Sequence, residues 1–236
     1  MVNSEPEPSS PPNVLRRLAT GRFFWMLIAT IGLILFSGES PDTGTGRWMS
    51  VIPFILLLVG ATVAARGGRR LLLTTIVFNT IFLSAWCSYY FHPHPATMVL
   101  TLLSLLACLF IALLSTLRFV LREGRVTADH IMGAICSYAL IAMIFATIYT
   151  MQWMGSPSAF KGLDDPSDRP WPEFFYFSCT TLSTVGYGDI VPASTRTRSV
   201  VVVEQMTGTF YVAILIARLA NLYPPPRRKD EDSSSS

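Results

Sequence analysis

Residues Thr184-Val185-Gly186-Tyr187-Gly188 carry their chemistry in the backbone more than in the side chains. Glycine reaches positive φ at no steric cost. Glycines at alternate positions, Gly186 and Gly188, therefore let successive carbonyls turn to one side, where an ordinary strand would alternate them. A column of carbonyl oxygens, with the Thr184 hydroxyl at its inner end, can replace the water shell of a dehydrated cation. Val185 and Tyr187 are left to point outward and brace the narrow strand. Irregular backbone of this kind is tolerated at membrane depth only where it lines a cavity.

The rest of the chain supplies a membrane setting. About half of its residues are hydrophobic and only 14% are charged, against roughly 25% in soluble domains. Six apolar segments are expected at about 20–37, 49–66, 70–91, 97–119, 128–151 and 198–222. Most approach the roughly 20 residues that a spanning helix needs. Every second junction is basic. The basic sets are Arg16, Arg17 and Arg22; Arg66, Arg69 and Arg70; Arg118, Arg122 and Arg125; and Arg218, Arg227, Arg228 and Lys229. If all six segments cross, these sets share one side, and the positive-inside rule makes that side cytoplasmic, with both termini. The net charge of +3 is thus one of topological anchors, and no nucleic-acid partner is expected.

The stretch from Gln152 to Thr197 is too long for a simple turn. It holds a polar loop, then the apolar run Trp171–Ser183, then the glycine-spaced motif. A run this short suits a re-entrant half-helix, with Pro172 in its first turn, where the missing N–H costs nothing. The expected fold is an all-α integral membrane protein. It has six transmembrane helices, with a re-entrant helix (172–183) and the carbonyl-bearing strand (184–188) between helices five and six. Residues 1–19 and 224–236 read as disordered cytoplasmic tails, and 20–126 as a four-helix N-terminal membrane module.

The pentapeptide TVGYG, followed by Asp189 and Pro192, resembles the selectivity filter of the potassium channel family. The resemblance covers roughly residues 127–222, so 127–223 reads as a pore domain of outer helix, pore helix, filter and inner helix. It implies that the carbonyls of Thr184, Val185, Gly186 and Tyr187, with the Thr184 hydroxyl, coordinate K⁺ in a filter that runs on to Gly188. Thr180, Tyr176, Asp189 and Glu204 are expected to support that filter. Gly208 matches a gating hinge, and Thr209, Val212 and Ile216 match positions that line the cavity. One chain gives one filter strand, so the resemblance implies a homotetramer in a lipid bilayer, the cell membrane, with K⁺ as permeant ion and no cofactor.

Two features depart from the family's common pattern. Where many relatives have paired tryptophans in the pore helix, this chain has Tyr176-Phe177, and a Tyr176–Asp189 hydrogen bond is the expected substitute. Glu204 is the single acid in the interior of an expected spanning helix, Asp129 standing at the very start of its own, and such groups are functional candidates by default. Bonds to the pore helix at Ser178 or Thr181, or a face toward water, both suit it.

Other classes fit less well. Voltage-gated relatives place Arg or Lys at every third position of the fourth helix, whereas residues 97–117 hold none and Arg118 is the first. The chain after Tyr223 is too short for a nucleotide- or calcium-binding domain, so gating by such a domain is not expected. The four cysteines form no CxxC pair. His92 and His94 are a weak metal pair. Asp164, Asp165 and Asp168 precede the pore helix on the outer side, where four copies would gather cations. No catalytic cluster suggests an enzyme. The alternatives retained are a non-conducting regulatory subunit and a component of a K⁺-coupled transporter.

Overall fold

The structure, a computed structural model, describes residues 23–36, 59–60, 69–92, 94–122, 127–163 and 171–221. Its helices are α1 (Phe24–Phe36), α2 (Arg69–Phe91), α3 (Pro95–Val120), α4 (Ala128–Gly155), α5 (Trp171–Leu182) and α6 (Thr195–Asn221). Helices α2, α3, α4 and α6 are each long and apolar enough to cross a membrane. The apolar segment expected at 49–66 lies outside the described residues except at 59–60, as do both expected tails and Asp164, Asp165 and Asp168.

Local chemistry sets the helix ends. Pro95 opens α3, and His94 caps it by accepting the Ala96 N–H at its Nδ1 (3.2 Å). Thr97 Oγ1 accepts the His94 N–H in return (3.2 Å). His94 is thereby occupied as a cap. Thr127 and His130 form the matching cap of α4, with Thr127 Oγ1 2.8 Å from His130 Nδ1. Pairs of this kind satisfy amide groups that have no partner within the helix.

Helix α4 is the centre of the described residues. It packs against α1, α3, α5 and α6, and 67% of its apolar window is buried, against 17% for α6. A helix apolar all round belongs inside a bundle. Cys136, Leu140, Met143, Ala146 and Tyr149 of α4 are all fully buried. The Tyr149 ring meets Phe160, Phe174 and Phe177 with centroids 5.3 to 6.3 Å away. Helix α6 instead leaves Val202, Val203, Met206, Phe210 and Ile214 more than half exposed on the isolated chain.

One element departs from the all-α expectation. After α4 a 3-10 turn leads into β1 (Phe160–Lys161), which pairs antiparallel with β2 (Val191–Pro192). The register sets Phe160 against Pro192 and Lys161 against Val191. This small clasp joins the chain leaving α4 to the chain leaving the TVGYG stretch. Gly162 follows it at φ 89°, against the Asp189 carbonyl oxygen, where a Cβ would collide. A two-residue strand has no alternation to read, which is why the sequence did not announce it.

Candidate ion-conducting site

Helix α5 ends at Leu182, and the chain reverses over its last turn. The Thr184 N–H donates to the Thr181 carbonyl (3.0 Å). The Val185 and Gly186 N–H groups both donate to the Thr180 carbonyl (2.9 and 3.1 Å). In a trans peptide the C=O points opposite to the N–H of the same unit. The carbonyls of Ser183, Thr184 and Val185 therefore turn away from α5. Thr184, Gly186 and Gly188 sit at φ 63°, 51° and 81°, alternating with Val185 and Tyr187. Open space surrounds a Cβ built on Gly186 or Gly188. It is the left-handed backbone that asks for glycine at these two positions. Thr184 takes the same conformation with a side chain, at a cost of roughly 1–2 kcal/mol.

The residues expected to brace this strand are found as follows. Tyr176 donates its hydroxyl to Asp189 Oδ2 at 2.7 Å, and the Ile190 N–H donates to Oδ1 at 2.9 Å. The Tyr176 hydrogen bond, followed by that of Ile190, holds the Asp189 carboxyl below its usual range. The same bond pushes the Tyr176 phenol up to about 12. The Tyr187 ring lies parallel to that of Tyr176, with centroids 6.4 Å apart. Thr180 supports the strand through its carbonyl, because its own hydroxyl donates back to Phe177 (3.0 Å). Glu204 is fully buried. It accepts the Tyr149 hydroxyl at Oε2 (2.5 Å), and its Oε1 is paired with the Ser178 hydroxyl.

Helix α6 presents Gly208 to the end of α5. A Cβ there would press on the Leu182 carbonyl oxygen, and would lie 3.1 Å from two Leu182 side-chain carbons. Thr209, Val212 and Ile216 are exposed on α6 in the isolated chain, with the Thr209 hydroxyl turned back onto the Gln205 carbonyl (2.9 Å). Val185 and Tyr187 are 54% and 72% exposed.

Several tethers escaped the sequence reading. Tyr138 of α4 donates to the Leu182 carbonyl (2.9 Å), and Tyr211 of α6 donates to the Ala134 carbonyl (2.6 Å). Trp171 donates its indole N–H to Thr147 (3.2 Å). The available signal was a tyrosine or tryptophan inside an apolar helix, whose polar tip needs a partner when buried. The partners lie on other helices, mostly backbone carbonyls, so no residue type marks them.

A family model described as "Ion channel" matches residues 135–223. That span opens within α4 and takes in α5, the glycine-spaced strand and α6. A plant protein, two-pore potassium channel 4 of Arabidopsis thaliana, is 32% identical over 83 residues, which are 35% of this chain and 29% of the plant protein. The potassium channel protein kcv of Paramecium bursaria Chlorella virus 1 is 31% identical over 78 residues, 33% of this chain. The match covers 83% of the viral channel. The chain belongs to the potassium channel family. It is a multi-pass membrane protein. The matched segment of the chain spans under a third of the plant relative's length. No solved structure matches the chain.

Proposed function

We propose that the chain is one subunit of a homotetrameric, K⁺-selective channel that conducts passively through a carbonyl-lined filter. The observation that carries this reading is the alternation of left-handed backbone at Thr184, Gly186 and Gly188. It comes with three consecutive N–H groups drawn back onto α5. In this reading the carbonyls of Thr184, Val185, Gly186 and Tyr187 and the Thr184 hydroxyl replace the hydration shell of K⁺, and the filter ends at Gly188. The C-terminal end of α5 adds the favourable field of its dipole.

Asp189, Tyr176, Thr180 and Glu204 hold the filter, Gly208 is the point at which the inner helix would hinge in gating, and Thr209, Val212 and Ile216 line the cavity beneath. Fourfold assembly is supported by the exposed Val185 and Tyr187 and by the uncovered apolar face of α6. Residues 20–126 form an N-terminal membrane module without a voltage sensor. Six crossings leave both termini on the cytoplasmic side of the cell membrane.

Purified protein in liposomes tests the reading. K⁺ flux well above Na⁺ flux is expected, with that preference lost in Gly186→Ala. Equal leakage of the two ions, or selectivity that survives the substitution, overturns it.

A further inference from the structure

Glu204 is a carboxyl group buried among hydroxyls, and among the described residues no cation neutralises it. The elements packed against its helix are α4, α5 and β2, and β2 (Val191–Pro192) carries no titratable side chain. The titratable groups facing it are Tyr149 and Tyr138 from α4 and Cys179 from α5. Neither α4 nor α5 contains a Lys or Arg, and α6 has none between Ser199 and Ala217. Arg198, nearly two turns before Glu204, gives its Nε–H to the Pro192 carbonyl. A buried ionised carboxylate without a partner charge costs several kcal/mol, so the site favours a neutral acid.

Counting protons leads to the same place. Three oxygen–oxygen contacts within hydrogen-bond distance meet at this site. Tyr149 Oη lies on Glu204 Oε2, Ser178 Oγ on Glu204 Oε1, and Ser178 Oγ on the Ala142 carbonyl oxygen at 2.9 Å. Each contact needs one proton between its oxygens. The two hydroxyls supply one each, and the Ala142 carbonyl supplies none. With Glu204 ionised, the single Ser178 proton would have to serve two acceptors, leaving one oxygen pair in lone-pair contact. With Glu204 protonated at Oε1, every contact is filled in one way only. Oε1–H donates to Ser178 Oγ, the Ser178 O–H donates to Ala142, and the Tyr149 O–H donates to Oε2.

We infer that Glu204 works as a neutral carboxylic acid, a proton-dependent latch tying the inner helix to the pore helix and the outer helix behind the filter. This rests on the channel reading above for its consequence, and on the bonding geometry for its protonation. Ser178 stands two residues before Thr180, whose carbonyl holds the Val185 and Gly186 N–H groups. Withdrawing the proton leaves Ser178 to choose between Ala142 and Glu204 and places a charge in an apolar site. Either change loosens the turn of α5 that carries the filter. Glu204 touches no filter carbonyl, so it is a positioning residue. The latch is whole at neutral and acid pH and is lost as pH rises.

The test uses the full chain in liposomes. Infrared difference spectra of wild type against Glu204→Gln should contain, at neutral pH, the C=O band of a protonated carboxylic acid, displaced in D₂O and fading at alkaline pH. K⁺ flux in wild type should fall on the alkaline side. Glu204→Gln should keep its flux there, because its amide donates to Ser178 and accepts from Tyr149. Glu204→Ala should lose roughly tenfold, the scale of a buried hydrogen bond left unmade. Carboxylate bands at neutral pH in place of the acid band overturn the latch. So does Glu204→Gln flux as low as that of Glu204→Ala. Where Glu204→Ala fails to assemble, the spectra and the Gln variant decide. A protonated band with no K⁺ flux in any form would leave the protonation standing and remove the channel reading.

Discussion

The backbone of Gly208 on α6 lies against the carbonyl oxygen of Leu182, the last residue of α5. The same carbonyl accepts the Tyr138 hydroxyl from α4. Three helices therefore meet at one peptide oxygen, two residues before the TVGYG stretch begins. α6 runs as a continuous helix through Gly208, and close approach alone demands the missing side chain.

Packing and bending make opposite demands on this glycine. If Gly208 serves only as a bend, alanine is the better helix former by about 1 kcal/mol, and Gly208→Ala should stabilise the assembly. If it serves as a seat for Leu182, the added methyl meets backbone that cannot move cheaply, at a cost of about 1–3 kcal/mol. The expected result is a lower thermal midpoint for Gly208→Ala in detergent, followed by the loss of the oligomer on heating. An unchanged or raised midpoint would show that the seat is unimportant.

Tyr176 and Asp189 predict a pH response from outside the membrane. The Asp189 carboxyl is held below its usual range, first by the Tyr176 hydroxyl and then by the Ile190 N–H. A group depressed in the folded state contributes above the ordinary carboxyl range, and that contribution is lost as pH falls through its lowered value. Tyr176→Phe removes the larger cause while keeping a ring to lie against Tyr187. The acid limb of filter stability, read as loss of K⁺ flux with external pH, should move to higher pH in the variant. Identical acid limbs in the two proteins would mean that the 2.7 Å bond does not govern the filter.

Sequence alone carried the pore region further than the N-terminal half. The span from Ala128 to Asn221 was legible because strong local signals fall in order: a long apolar helix, a proline-started short helix, glycines at alternate positions and another apolar helix. The described helix ends fall within about four residues of those expected, and the Tyr176–Asp189 bond was legible because a phenol stood where an acid needed a donor. Thr180 was legible as a supporting position, but its means, a backbone carbonyl, was not. The Glu204 partner Ser178 was foreseeable from its place on α5, whereas Tyr149 comes from a helix 55 positions earlier. Gly162 and the β1–β2 clasp were invisible, because a close backbone approach across a loop leaves no periodic trace.

The absence of charge from α3 before Arg118 gives the last prediction. Between Pro95 and Val120 its one basic residue is Arg118, in the last turn, and its first turn has no acid. A basic residue at that end is already explained by the helix dipole. Each elementary charge moved across the membrane field contributes about 2.3 kcal/mol per 100 mV, so steep voltage control needs several mobile charges per subunit. This helix has none before Arg118. The conductance–voltage relation in planar bilayers should be shallower than about one gating charge would give, and Arg118→Gln should leave its slope unchanged. A steep relation would require a charge-moving element elsewhere in the chain. A slope that changed with Arg118→Gln would place that element at the end of α3.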